Sequence, residues 1–116
     1  PTHSTPLLYI FTSGTTGLPK ASIITHLRFH AGGQFFSTIA GLTPLDVIYC
    51  ALPLYHSAGG MMGVGGCVQS GAAMVIRETF SARRLARDLV WEGCTVLQYI
   101  GEYGRFALAA PEGEYE

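Results

Sequence analysis

Charge is scarce in this chain. Only 13% of its 116 residues are Asp, Glu, Lys or Arg, and seven cations against eight acids leave a net charge of −1. No basic stripe is available to neutralise a phosphate backbone, which argues against any nucleic-acid partner. Arg83, Arg84 and Arg87 do cluster, and read as the solvated face of a helix. Cysteine is sparse too. Cys50, Cys67 and Cys94 are odd in number and far apart, with no CxxC and no Cys/His metal spacing. That pattern favours a reducing, intracellular setting over a disulfide scaffold. No apolar run approaches the roughly 20 residues that a membrane-spanning helix needs. The longest weakly polar stretch, Ala58–Val68, is short and rich in glycine, and no signal-peptide pattern occurs within these residues.

What is present is 48% hydrophobic sequence, enough for one small domain with its own core. Strand-like runs occur at Leu7–Phe11, Val47–Ala51, Ala72–Ile76 and Thr95–Tyr99. Each is short, apolar and free of in/out alternation, as strands buried on both faces of a parallel sheet are. Helix-like segments follow each. Residues 82–92 are the clearest, with Ser81 as N-cap, Phe80 and Leu85 as a hydrophobic staple, and Gly93 as the stop. Ala82, Leu85, Ala86, Leu89 and Val90 form its apolar stripe. Residues 26–40 are helical in period through Leu27, Ala31, Phe35, Phe36 and Ile39, although Gly32 and Gly33 weaken the helix by about 1 kcal/mol each. Helices are also expected over 59–70 and 102–109. The order β-loop-α, β-α, β-α, β-α predicts an α/β fold, a parallel sheet flanked by helices. Ligands of such sheets gather at the carboxyl ends of the strands.

Residues 9–20, YIFTSGTTGLPK, carry the most chemistry. An apolar run stops abruptly at Thr12, and Ser13, Gly14, Thr15, Thr16, Gly17 and Pro19 lead to Lys20. Glycines let a backbone approach an oxyanion with its N–H groups pointing inward, hydroxyls donate to phosphate oxygens, and a lysine adds a point charge. The composition fits either a polyphosphate cradle or a plain surface loop. It does not fit the Walker phosphate loop. Pro19 stands where that motif has glycine, and Ala21 stands where it has the hydroxyl that binds magnesium.

Two further segments follow strands. In Leu52–Gly59, His56 lies between Tyr55 and Ser57, placed either to meet an anionic ligand or simply to cap the next helix. In Gln98–Glu102, Gly101 and Glu102 open the last helix. There Glu102 could be no more than an N-terminal acid stabilised by the helix dipole for about 0.3–1 kcal/mol. Together with the Thr12–Lys20 loop, these segments are expected to converge on one carboxyl edge of one sheet.

The string at 9–20 closely resembles the signature of the adenylate-forming (AMP-binding) superfamily, which includes acyl-CoA synthetases, luciferases and peptide-synthetase adenylation domains. LPLYHSAG at 52–59 resembles its second core motif. QYIGE at 98–102 and FSA at 80–82 resemble one branch, the fatty acid transport proteins, which are very-long-chain acyl-CoA synthetases. The resemblance implies that the chain is part of the large N-terminal domain of such an enzyme, a fragment of residues 1–116 with the C-terminal domain absent. It implies ATP and coenzyme A as co-substrates, a fatty acid as substrate, and Mg²⁺ held by a ligand outside this segment. Thr12, Ser13, Gly14, Thr15, Thr16, Gly17 and Lys20 would bind ATP phosphates. Tyr55, His56, Gly101 and Glu102 would contact the acid, with Lys20 and His56 nearest the chemistry. Membrane association, at the endoplasmic reticulum or plasma membrane and through regions outside this chain, is implied by the branch alone. The adenine-binding segment, the ribose-binding aspartate and the catalytic lysine of the family have no counterpart here, so these residues alone are expected to be inactive. Two departures appear: Ala21 replaces a glycine common in the family, and Tyr103–Gly104 replaces a bulkier apolar pair. Alternatives are a lipid transport or binding role separable from catalysis, and a ligase for bile acids or other carboxylic acids.

Overall fold

A computed structural model describes residues 1–12 and 17–109. The elements run β1 (Pro6–Thr12), β2 (Lys20–Thr25), α1 (His26–Ala40), β3 (Val47–Cys50), a π-helix (Ser57–Val64), α2 (Gly65–Ser70), β4 (Ala73–Ile76), α3 (Ala82–Trp91), β5 (Val96–Gln98) and α4 (Gly101–Ala109). Three strands form a parallel sheet in the order β4-β3-β5. β3 is its centre, and Ile48, Tyr49 and Cys50 are 0–1% exposed. The expected runs at 47–51, 72–76 and 95–99 are all found, each trimmed at its ends.

The first expected strand lies elsewhere. β1 pairs antiparallel with β2, from Pro6↔Thr25 to Thr12↔Lys20, in a separate two-stranded sheet. The connection is therefore β-loop-β-α rather than β-loop-α. Lys20–Thr25 is short, with Ile23, Ile24 and Thr25 its β-branched residues before the helix begins, and so gives a weak local strand signal. Of its isoleucines only Ile24 is buried, with Ile23 48% exposed.

Thr25 starts α1 by accepting the Arg28 N–H on its hydroxyl at 3.3 Å. The face that α1 buries differs from the expected stripe. Leu27, Phe35 and Ile39 are each more than half exposed, and Gly33 is the buried residue. Gly33 lies against the Gly65 backbone, where a Cβ would fall 2.5 Å from the Gly65 carbonyl carbon and oxygen. The glycines that weaken this helix in isolation are thus what allow it to pack closely on the next one.

The expected helix at 59–70 is two structures in series, a π-helical segment and then α2. π-helical turns are rare and recur at functional sites. α3 begins as expected, with the Ser81 hydroxyl accepting from the Arg84 N–H at 3.4 Å. Leu85 is buried beside Tyr49 and Ala51, and Phe80 packs on that cluster. Val90, by contrast, points outward at 77% exposure, because the buried positions of α3 are Leu85 and Asp88. Trp91 is also exposed, with the Arg87 guanidinium 5.6 Å from its ring centre. Tyr103 stacks on Phe80, centroids 4.4 Å apart, so the unexpected Tyr103 docks α4 on the start of α3.

Two polar clusters tie the sheet. At the amino ends of β3 and β5, Asp46 accepts from the Thr43 N–H and hydroxyl and from the Thr95 hydroxyl, each at 2.8 Å. The Thr43 hydroxyl first, then Thr95, hold its carboxyl below the usual range. At the other end, Arg77 bridges β4 to α3 through Asp88 at 2.9 Å and Glu92 at 2.7 Å. The Arg77 hydrogen bond keeps the Asp88 carboxyl low. The three cysteines are free, and burial pushes every thiol pKa up, as expected of inert, reduced residues.

Gly33→Val forces a branched side chain into the Gly65 backbone. We expect the protein to be destabilised by about 1–3 kcal/mol, and a wild-type melting curve would contradict this packing. Asp88 makes a second prediction. Its lowered folded pKa stabilises the fold above the unfolded value and is lost as pH falls through the folded one. Asp88→Asn should therefore cost stability at neutral pH and little in acid, read as a gap between melting temperatures that closes below about pH 4.

Candidate functional site

Thr12 and Lys20 are register partners across the β1–β2 hairpin, so the segment between them leaves and returns at one place. The Thr12 hydroxyl donates to the Lys20 carbonyl at 3.2 Å and fastens the two ends together. Lys20 and Gly17 are both exposed. Gly17 sits at φ = 105°, with nothing within 4 Å of where a Cβ would lie. Ser13, Gly14, Thr15 and Thr16 lie outside the described residues.

Pro53–Ser57 leaves the carboxyl end of β3. The His56 N–H donates to the Pro53 carbonyl at 3.1 Å, and the His56 carbonyl accepts from the Gly60 N–H at 2.8 Å. His56 thus caps the π-helix by its backbone, in an extended conformation, and its side chain makes no capping bond. Its ring is exposed and lies 5.0 Å from the Tyr55 ring, tilted by 40°. Both rings are accordingly presented to whatever occupies this edge.

β5 runs parallel to β3 with Gln98 opposite Cys50, so Gly101–Glu102 leaves from the same edge as Pro53–Ser57. Gly101 is open, with nothing near its Cβ position, and Glu102 stands exposed in the first turn of α4. Two of the three expected segments therefore share a carboxyl edge. The third, the Thr12–Lys20 loop, sits on the separate hairpin, because β1 pairs with β2 and joins no ladder of the parallel sheet.

Three features were not anticipated. Gln98 was noticed only as part of a motif, yet it is 8% exposed and its Nε2 donates to the Ala58 carbonyl at 2.7 Å. A lone amide closing an apolar strand was the available signal. An open groove of about 420 Å³ lies between α1 and the π-helix, lined mainly by Ile24, Ala31, Phe35, Met61 and Met62. The third is the Arg77 bridge, which no local pattern announces. Among the described residues no three His, Cys, Asp or Glu side chains converge as a metal site, and no helix is long and apolar enough to cross a membrane.

A parallel sheet whose carboxyl edge carries His56 and Glu102, in a chain with a separate hairpin that pairs Thr12 with Lys20, belongs to a known class of protein. Residues 1–115 match the model of the AMP-binding enzyme, and the chain is a member of that family. Its fold is the one seen in o-succinylbenzoate CoA synthetase of Bacillus subtilis with its acyl-adenylate intermediate bound. That structure matches at a TM-score of 0.83 and 23% identity, over 96% of this chain and 30% of the other. ATP-bound MatB of Rhodopseudomonas palustris matches at 0.77 and 26%, over 89% and 20%. Within the family, the chain is 51% identical over 110 residues to long-chain fatty acid transport protein 1 of Bos taurus, covering 95% of this chain. It spans 17% of that relative's length.

The positive φ of Gly17 is the sharpest local constraint on the loop. Gly17→Ala should cost about 1 kcal/mol or more, strain confined to the hairpin tip. The expected result is a lowered melting temperature, and an unchanged one would show that this position tolerates a side chain at its positive φ.

Proposed function

We propose that this segment is the phosphate-gripping and acid-orienting part of an ATP-dependent fatty acid–CoA ligase of the transport-protein type, residues 1–116 forming part of its AMP-binding domain. The observation that carries the reading is the pairing of Thr12 with Lys20. It brings both ends of a Ser/Thr/Gly segment together on one hairpin and keeps the only lysine of the chain exposed at its root. The likeness to long-chain fatty acid transport proteins supplies the substrate class.

The chemistry follows. A fatty carboxylate oxygen attacks the α-phosphorus of ATP, a new O–P bond forms, and the bond to the bridging β-oxygen breaks with pyrophosphate leaving. The coenzyme A sulfur then attacks the acyl carbon, AMP departs, and the thiol proton passes to solvent. Joining two anions demands neutralised charge and a firmly held leaving group, largely a matter of positioning and electrostatics. Thr12, Ser13, Gly14, Thr15, Thr16, Gly17 and Lys20 would hold the departing pyrophosphate. Hydrogen bonds to charged groups contribute roughly 1.5–3 kcal/mol each, so several acting together are decisive. Tyr55, His56, Gly101 and Glu102 would orient the acid at the shared edge of β3 and β5. Mg²⁺ would arrive with ATP and take its protein carboxylate from outside this segment. Membrane association, at the endoplasmic reticulum or plasma membrane, would likewise come from residues beyond it.

Lys20→Ala in the full-length protein should lower ATP-dependent acyl-CoA formation about 10- to 100-fold, with its melting temperature retained. The 116 residues alone should form no acyl-CoA; activity there would overturn the view that the site is only partly contained in them. Fatty acid uptake measured on the same Lys20→Ala variant, combined with Thr15→Ala, separates the rival role. Uptake that persists while ligase activity is lost would make transport independent of the chemistry.

A further inference from the structure

The side chain of Gln98 is buried in an unusual way. Its Nε2 donates to the Ala58 carbonyl at 2.7 Å, in the first turn of the π-helix. Its Oε1 is buried and accepts nothing among the described residues. That oxygen lies against the far turn of the same helix, where a Cβ on Gly63 would come within 2.5 Å of it and within 2.9 Å of the Met74 methyl. One amide thus spans the π-helix, hydrogen-bonded at one end and pressed against a glycine at the other. A buried carbonyl without a donor is destabilising. A leucine would remove that penalty but also the donor to the Ala58 carbonyl, so apolar packing alone does not explain a glutamine here.

Position does explain it. Gln98 ends β5, three residues before Gly101, and Ala58 lies two residues after His56. The amide is the one side-chain hydrogen bond among the described residues that joins the two segments leaving the shared edge. We propose that Gln98 is a positioning residue of the ligase. It pins the first turn of the π-helix to the end of β5, and so fixes where His56 stands relative to Gly101–Glu102. The inference rests on the ligase reading for its consequence in catalysis, but not for the anchor itself. Gln98 acts through the Ala58 backbone and, among the described residues, is hydrogen-bonded to none of Thr12, Gly17 and Lys20. Its loss should therefore be felt by the acid substrate and not by ATP.

The test uses Gln98→Leu and Gln98→Glu in the full-length protein. Gln98→Leu removes the donor together with the unpartnered acceptor. Its kcat/KM for fatty acid should fall up to about tenfold, while the KM for ATP and the melting temperature stay at wild-type values. Gln98→Glu at pH 8 sets a carboxylate against the Ala58 carbonyl and should fall further. It should recover below about pH 6, where the buried carboxyl takes a proton and can donate to that carbonyl. The wild type should show no such acid recovery. Hydrogen exchange of residues 57–64 gives a reading independent of activity, and should quicken in Gln98→Leu while exchange in β3 does not.

Exchange at the wild-type rate would overturn the anchor. So would fatty-acid and ATP parameters that fall together with the melting temperature, since that is the signature of a merely structural residue. A wild-type protein that forms no acyl-CoA, yet whose 57–64 exchange quickens in Gln98→Leu, would sink the ligase reading and leave the anchor standing.

Discussion

β3 is hydrogen-bonded along both edges, to β4 on one side and β5 on the other, with Ile48, Tyr49 and Cys50 almost wholly withdrawn from water. That double pairing is the constraint on which the rest depends. Hydrogen bonds along both edges and close-packed side chains on both faces would all be broken by a slip, and they hold its carboxyl end in place. The Asp46–Thr43–Thr95 cluster holds the amino ends of β3 and β5 in step. The Arg77 bridges hold β4 to α3. With those ends fixed, the directions in which Pro53–Ser57 and Gly101–Glu102 leave the sheet are fixed as well.

The helices meet the sheet at a different kind of joint. Gly33 and Gly65 bring α1 and α2 into backbone contact. This sacrifices local helix stability, on the order of 1 kcal/mol per glycine, for close approach. The π-helix between β3 and α2 is similar in kind. Its segment Ser57–Val64 contains three glycines and two methionines, weak local material that tertiary contacts must hold. Gln98 and the α1 face supply those contacts. A segment with little stability of its own can have its geometry set by a few anchors, which suits a place where a side chain must be aimed at a substrate.

This division also explains which features were legible in the sequence. Strands buried at the centre of a sheet, such as Val47–Cys50, announce themselves by continuous apolar runs, and α3 announced itself through Ser81, Phe80 and Leu85. Each is a local pattern with a local cause. β2 is not legible locally because what marks it as a strand is its pairing with β1, which no window of Lys20–Thr25 contains. The outward Val90 and the exposed Leu27, Phe35 and Ile39 were misjudged because periodicity gives a helix an apolar side without saying what covers it. Lys20, His56 and Glu102 stand in strings that resemble family motifs, and it is that resemblance that singles them out. The role of Gln98 is not legible in that way, because its meaning lies in the Ala58 carbonyl, forty residues away in the chain.

The corrected place of β1 changes how the site is assembled. Had Leu7–Phe11 belonged to the parallel sheet, phosphate grip and acid orientation would hang from one rigid edge. Instead the Thr12–Lys20 loop rides on a hairpin that meets the sheet through β2, α1 and the contacts of α1 with the π-helix and α2. The route from Lys20 to His56 therefore runs through the packing of α1 on the π-helix and α2, the Gly33–Gly65 contact included, rather than through a shared ladder. On the proposed chemistry, the hairpin must hold a leaving group while the sheet edge holds an attacking one. Two units joined by a tight helix contact can fix that distance without being strands of one sheet. The glycine contact, remote from every reacting atom, becomes part of what aligns them.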